Sequence, residues 1–94
     1  ARMVEWTFHI AFDADVDRAL KAVNGALAAN PRVLDSPAPA ASITALGAQS
    51  VTLGASAWCA AGDFVALRNE VTKAVKLAFD AAGVAFPPVA PATR

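Results

Sequence analysis

Tyrosine is absent from this chain of 94 residues, and cysteine, histidine and methionine occur once each. A single Cys cannot close an internal disulfide, which points to a reducing compartment. Cys59 and His9 are also the sole thiol and imidazole, too few for a zinc site built within one chain. An excess of charge of either sign is missing too. Eight Lys and Arg balance eight Asp and Glu, whereas a nucleic-acid-binding domain normally carries a basic face and a high pI. No apolar run reaches the roughly 20 residues of a membrane span, because Asp, Lys, Arg, Asn or Pro interrupts each one, so the chain as given reads as soluble. The start as given does not read as a signal peptide, since Arg2 is followed by only two apolar residues before Glu5. There is no internal repeat and no Gly-rich phosphate loop.

What the chain does have is alanine, at 25 positions of 94, so bulky apolar residues make up about 30% of it although 56% is hydrophobic. A domain of this size buries only roughly 60 to 65% of its unfolded surface. With a core this thin, support from a partner or a parent chain is expected. The chain begins at Ala1 without a start Met, consistent with a piece of something longer.

From Val4 to Phe12 the residues alternate, with Val4, Trp6, Phe8, Ile10 and Phe12 on one face and Glu5, Thr7, His9 and Ala11 on the other. This predicts a half-buried strand. Asp13, Asp15 and Asp17 then lead into Val16, Leu20, Val23 and Leu27 at helical spacing, an amphipathic helix capped by Asp13 or Asp15 and ended by Asn30-Pro31. Residues 35–41 read as a Pro-rich loop. Two β-compatible runs follow, Ser42 to Leu46 and Ser50 to Cys59, joined by a short turn in which Gly47 is available for positive φ. In the second run Val51, Leu53, Ala55, Ala57 and Cys59 share one face, opposite Thr52, Gly54, Ser56 and Trp58. Gly62-Asp63 opens a long helix with an apolar stripe of Phe64, Leu67, Val71, Ala74 or Val75, and Ala78, and Gly83 is placed to end it in a left-handed turn. A last short edge strand fits Val84 to Phe86. The order is β-α-β-β-α(-β), an α+β ferredoxin-like sandwich with two helices on one face of an antiparallel sheet. We read it as one domain over 1–94, with a Pro-rich tail over 84–94.

Little in this pattern is catalytic. Asp13, Asp15 and Asp17 open like a calcium loop, but the sixth position is Arg18 and the twelfth Asn24, where Gly and a bidentate Glu are required. Helix capping accounts for these acids instead. Strand parity places Cys59 on the apolar side and His9 on the polar side, so they do not form a nucleophilic pair. No cofactor is implied, and the chain does not read as an enzyme. Trp58 stands out as an indole on a face of small and polar residues, a position suited either to packing under the tail or to a neighbouring subunit.

The series from Val4 to Asp17, Val-Glu-Trp-Thr-Phe-His-Ile-Ala-Phe-Asp-Ala-Asp-Val-Asp, resembles the strand-to-helix junction of the C-terminal cytoplasmic domain of small-conductance mechanosensitive (MscS-like) channels. Asn30-Pro31-Arg32-Val33-Leu34 through Pro37 is similar to that family's D-P-R-V-L-x-x-P loop, and Leu46 to Val51 to its hairpin. Trp58, Gly62-Asp63 and the run from Phe79 to Pro87 complete the likeness in the same order. It covers Val4 to Pro88. Phe12 replaces the family's usual Tyr, Ala55-Ser56-Ala57 lacks its Arg, and Pro88 departs from its pattern.

The resemblance implies the soluble part of an ion channel that opens under membrane tension in hypo-osmotic shock. The pore helices would lie upstream, anchoring the protein in the bacterial inner membrane with this domain on the cytoplasmic side. Seven copies would form the lower wall of a hollow cage that filters solutes and influences gating. On this reading the partners are the chain's own subunits in a homoheptamer, not nucleic acid. Glu5, Thr7, His9 and Trp58, with Phe86 and Pro87 of the tail, are the candidate subunit or interdomain contacts. The alternative is a free-standing ferredoxin-like regulatory or small-ligand-binding domain, since many unrelated functions share this architecture.

Overall fold

The computed structural model describes residues 1–88. Five main elements follow one another: β1 (Arg2–Ala11), α1 (Val16–Ala29), β2 (Ala40–Leu46), β3 (Ser50–Cys59) and, after a single 3-10 turn at Ala61–Asp63, α2 (Phe64–Ala82). The strands form one antiparallel sheet in the order β1-β3-β2. The α+β sandwich with both helices on one face is therefore as expected. On β3 the alternation is complete: Val51, Leu53, Ala55, Ala57 and Cys59 are buried beneath the helices, and the residues between them are half-buried on the opposite face. Val4, Trp6 and Ile10 of β1 join them. From above, α1 contributes Ala19, Val23 and Leu27, and α2 contributes Leu67, Val71, Val75 and Phe79.

The caps follow from residue chemistry. Asp15, not Asp13, accepts the Arg18 backbone N–H at 3.0 Å and starts α1. Gly83 ends α2 at φ 72°, the one positive φ among the described residues. There the Val84 N–H reaches back to the Phe79 carbonyl at 2.9 Å, closing a Schellman turn over buried Val84. Arg18 also donates to the Ala82 carbonyl at 3.1 Å, placing a cation from α1 at the negative end of α2.

Five local expectations are corrected. Phe12 is exposed rather than buried, because β1 stops at Ala11 and the chain turns there, with the Ala14 N–H on the Ala11 carbonyl. Ala11, expected outside, is buried where the tail crosses it and its N–H donates to the Ala85 carbonyl at 2.9 Å. Among the described residues that is the one backbone bond from the tail to β1, and Val84–Phe86 runs beside the sheet without forming a fourth strand. Gly47 does not take a positive φ; it keeps a close approach open, since a Cβ there would meet Ser50 Oγ at 2.9 Å. In α2 the deepest C-terminal position belongs to Phe79, with Ala78 only half-buried, because the larger ring reaches Phe8 in an edge-on contact at 6.1 Å. The tail expected over 84–94 is described to Pro88, and 89–94 lie outside the described residues.

One polar bond ties the layers together. Trp6 is buried in the sheet–helix interface and its indole N–H donates to the Arg68 carbonyl of α2 at 3.1 Å. Replacing Trp6 by Phe keeps most of the ring and removes the donor, so Trp6→Phe should lower unfolding free energy by about 1 to 2 kcal/mol. Urea denaturation checks this; unchanged stability would show that the bond contributes nothing.

Candidate functional site

With both helices on one side, the other face of the sheet is bare among the described residues. It carries Glu5, Thr7 and His9 from β1, which lie opposite Ser56, Gly54 and Thr52 of β3. Trp58 stands opposite Met3 on the same face, half-buried. The structure thus brings together four of the six residues singled out in the sequence. His9 Nδ1 lies 3.1 Å from Thr52 Oγ1, a cross-strand hydrogen bond that fixes the imidazole. Phe86 and Pro87 are elsewhere, at the C-terminal end of α2. There Phe86 packs on Phe79 at 6.0 Å, with the Lys76 ammonium 5.7 Å from its ring centre.

In the middle of the bare face is a shallow trough of about 350 Å³ lined by Glu5, Thr7, Ser42, Thr44, Gly54 and Ser56, among others. Gly54 is its floor for a steric reason. A β-bulge between Ile43 and Ala45 swings Thr44 over β3, and a Cβ on Gly54 would meet Thr44 Cγ2 at 2.7 Å. Thr44 escaped notice in the sequence because the bulge that re-aims it has no residue signature, and Ser42 because its place opposite Gly54 is set by the pairing of β2 with β3. A second open depression, of about 570 Å³, lies between the helices and is lined by Arg18, Lys21 and four alanines. Among the described residues no polar or charged side chain is buried and no cluster of His, Cys, Asp and Glu is arranged to hold a metal. Cys59 is buried and faces the helices, away from His9.

A charged network also went unread in the sequence, where Asn30-Pro31 ended a helix and Asn30 to Pro37 carried a family resemblance without any contact being assigned to Arg32. Arg32 donates through Nη1 to Asp63 at 2.8 Å and through Nε to Glu70 at 3.1 Å. Asn30 joins it, donating its amide to Glu70 at 3.0 Å while its carbonyl oxygen accepts the Arg32 backbone N–H at 2.9 Å. The network holds the loop after α1 against the start of α2. The Asn30 hydrogen bond, helped by the Arg32 guanidinium and opposed by partial desolvation, holds the Glu70 carboxyl below the usual carboxylate range. The Arg32 guanidinium is in turn held above its ordinary value, first by its hydrogen bond to Glu70 and then by the charges of Glu70 and Asp63.

These observations define a class: an α+β domain with one helix-covered and one bare sheet face, stitched at its loops and containing no helix, among the described residues, long and apolar enough to cross a membrane. Residues 4–86 match the family model for the C-terminal domain of the mechanosensitive ion channel MscS, and the chain belongs to that family. Among solved structures it is similar to the closed state of Helicobacter pylori MscS, with a TM-score of 0.82 and 20% sequence identity over 99% of this chain. It spans 38% of the length of that channel chain.

Because the folded state lowers the Glu70 pKa, the network's stabilisation is full at pH above the usual carboxylate range and is lost as the pH falls through the lowered value of the folded state. The melting temperature of Glu70→Gln should lie below that of the native chain at neutral pH, with the two converging between about pH 5 and pH 3. Thermal melts across that range check this; a pH-independent gap would remove ionised Glu70 from the account.

Proposed function

We propose that this domain, read as a unit over 1–94, is the wall of the cytoplasmic cage of a tension-gated channel. On this reading seven subunits enclose a vestibule beneath the pore, on the cytoplasmic side of the bacterial inner membrane, and transmembrane segments upstream anchor it. The cage screens the solutes released in hypo-osmotic shock and steadies gating. It does so mechanically, with no catalytic step. The observation that carries the proposal is the family match over residues 4–86.

The architecture supports it physically. The core is thin, and β2 contributes no fully buried residue, leaving Ile43 and Leu46 at 46% and 70% exposure. Glu5, Thr7, His9 and Trp58 then serve as subunit contacts on the bare face, and Phe86 and Pro87 as the ordered start of the exit toward the next segment. A half-buried indole at such a face has the character of an interface anchor, the kind of residue whose truncation costs about 2 kcal/mol or more.

The test is electrophysiological. The gene carrying this domain, expressed in cells stripped of their tension-gated channels, should restore survival of hypo-osmotic shock and give tension-activated currents in membrane patches. Neither appearing would overturn the proposal. In the same protein Trp58→Ala should weaken the oligomer by at least about tenfold in subunit dissociation constant. An unchanged oligomer mass and stability by native mass spectrometry would take Trp58 out of the contact.

A further inference from the structure

The bare sheet face has a counterpart on the other side of the same molecule. Along α2, Val65, Asn69, Lys73, Leu77 and Ala81 recur every fourth residue, and all five are exposed. At about 100° per residue this row stands opposite Leu67, Val71, Val75 and Phe79, the row that packs on the sheet. It is a ridge facing away from the domain. Its two large apolar members, Val65 and Leu77, leave 57% and 56% of their surface to solvent. Between them Lys73 forms no ion pair among the described residues, whereas Lys76, one turn away, is paired with Asp80.

The trough on the bare face is complementary in shape and charge. Ser42 and Ser56 are small enough to admit a helix ridge beside the Thr44 methyl that covers Gly54, and Thr7 and Thr44 offer hydroxyls there. Glu5 is the one charged residue lining it, exposed and without an ion-pair partner among the described residues. The lengths agree as well. Residues 65 to 81 of a helix rise about 24 Å, within the roughly 33 Å of a ten-residue strand such as β3.

We propose that the α2 ridge of one copy of this chain lies in the sheet trough of the next copy, with the Lys73 ammonium on the Glu5 carboxylate. This deepens, and rests on, the reading of the bare face as a subunit contact. The contact is heterologous, the helix side of one domain on the sheet side of its neighbour, the kind of interface that propagates into a ring when the rotation closes. It removes the exposed Val65 and Leu77 from water and gives Glu5 and Lys73 the ion-pair partners that neither has among the described residues.

A zero-length carbodiimide cross-link tests it on the assembled full-length channel, built from a mixture of 14N- and 15N-labelled subunits. Glu5 and Lys73 lie on opposite sides of one domain, so a bond between them joins two copies, and peptide masses of mixed isotope are expected. Lys76 and Asp80 of a single chain supply the internal positive control. Glu5→Lys and Lys73→Glu, both at exposed positions, should each raise the subunit dissociation constant by about tenfold or more, and the double swap should restore it. The Lys76–Asp80 product without the mixed Glu5–Lys73 product overturns the proposal, as does a double swap no better than the single changes combined. If Trp58→Ala still breaks the oligomer in that case, the bare face is a subunit contact with another occupant; if it does not, both readings fall.

Discussion

The rest of the structure depends on a division of labour along β3. It lies between β1 and β2, paired on both sides, and its side chains alternate without interruption between a buried set and a half-buried set of Ser, Thr, Gly and Trp. A strand of this kind permits one covered face and one bare face. Both helices must therefore come to the same side, and the chain order meets that requirement by placing one helix after β1 and the other after β3. A one-residue slip of β3 would turn Leu53 and Val51 outward and Trp58 and Thr52 inward, so the register is specified by burial itself.

The helices are held to that sheet less by bulk than by placement. Most of the buried apolar side chains are Val or Ala, and the bonds that fix position are few and specific: Trp6 to the Arg68 carbonyl, Arg18 to the end of α2, and Arg32 bridging to Asp63 and Glu70. Each crosses between elements far apart in sequence. The loop that leads from α1 to β2 is thereby an ordered brace, its Leu34 N–H bonded to the Trp58 carbonyl at 2.9 Å. It meets β3 at the residue whose side chain anchors one end of the bare face, which couples the brace to the face proposed as a subunit contact.

Membership of the MscS C-terminal family and the bare face point in the same direction. A domain with a thin core, an unshielded edge strand and an uncovered sheet gains from neighbours what it lacks inside. Here the neighbours proposed are copies of itself, and the two faces they would use are on opposite sides of one sandwich. Assembly of that geometry needs no motion within the domain, only repetition of one contact.

Patterns of short range were legible in the residues themselves. Period-two alternation identified β1 and β3, Asp13 or Asp15 and then Gly83 marked helix ends, and the parity of β3 separated Cys59 from the polar face, because each depends on neighbours within a turn or a strand. The same parity gathers Glu5, Thr7, His9 and Trp58 on one face. What lay beyond it was set by contacts between distant segments. The exposure of Phe12 depends on where β1 stops, Thr44 reaches Gly54 through a bulge, and the tail's Phe86 settles on α2 through Phe79. The Arg32 network joins residues more than thirty positions apart. Sequence alone determined which residues share a face, since that follows from backbone period; the tertiary structure decided which faces meet, since that follows from packing in three dimensions.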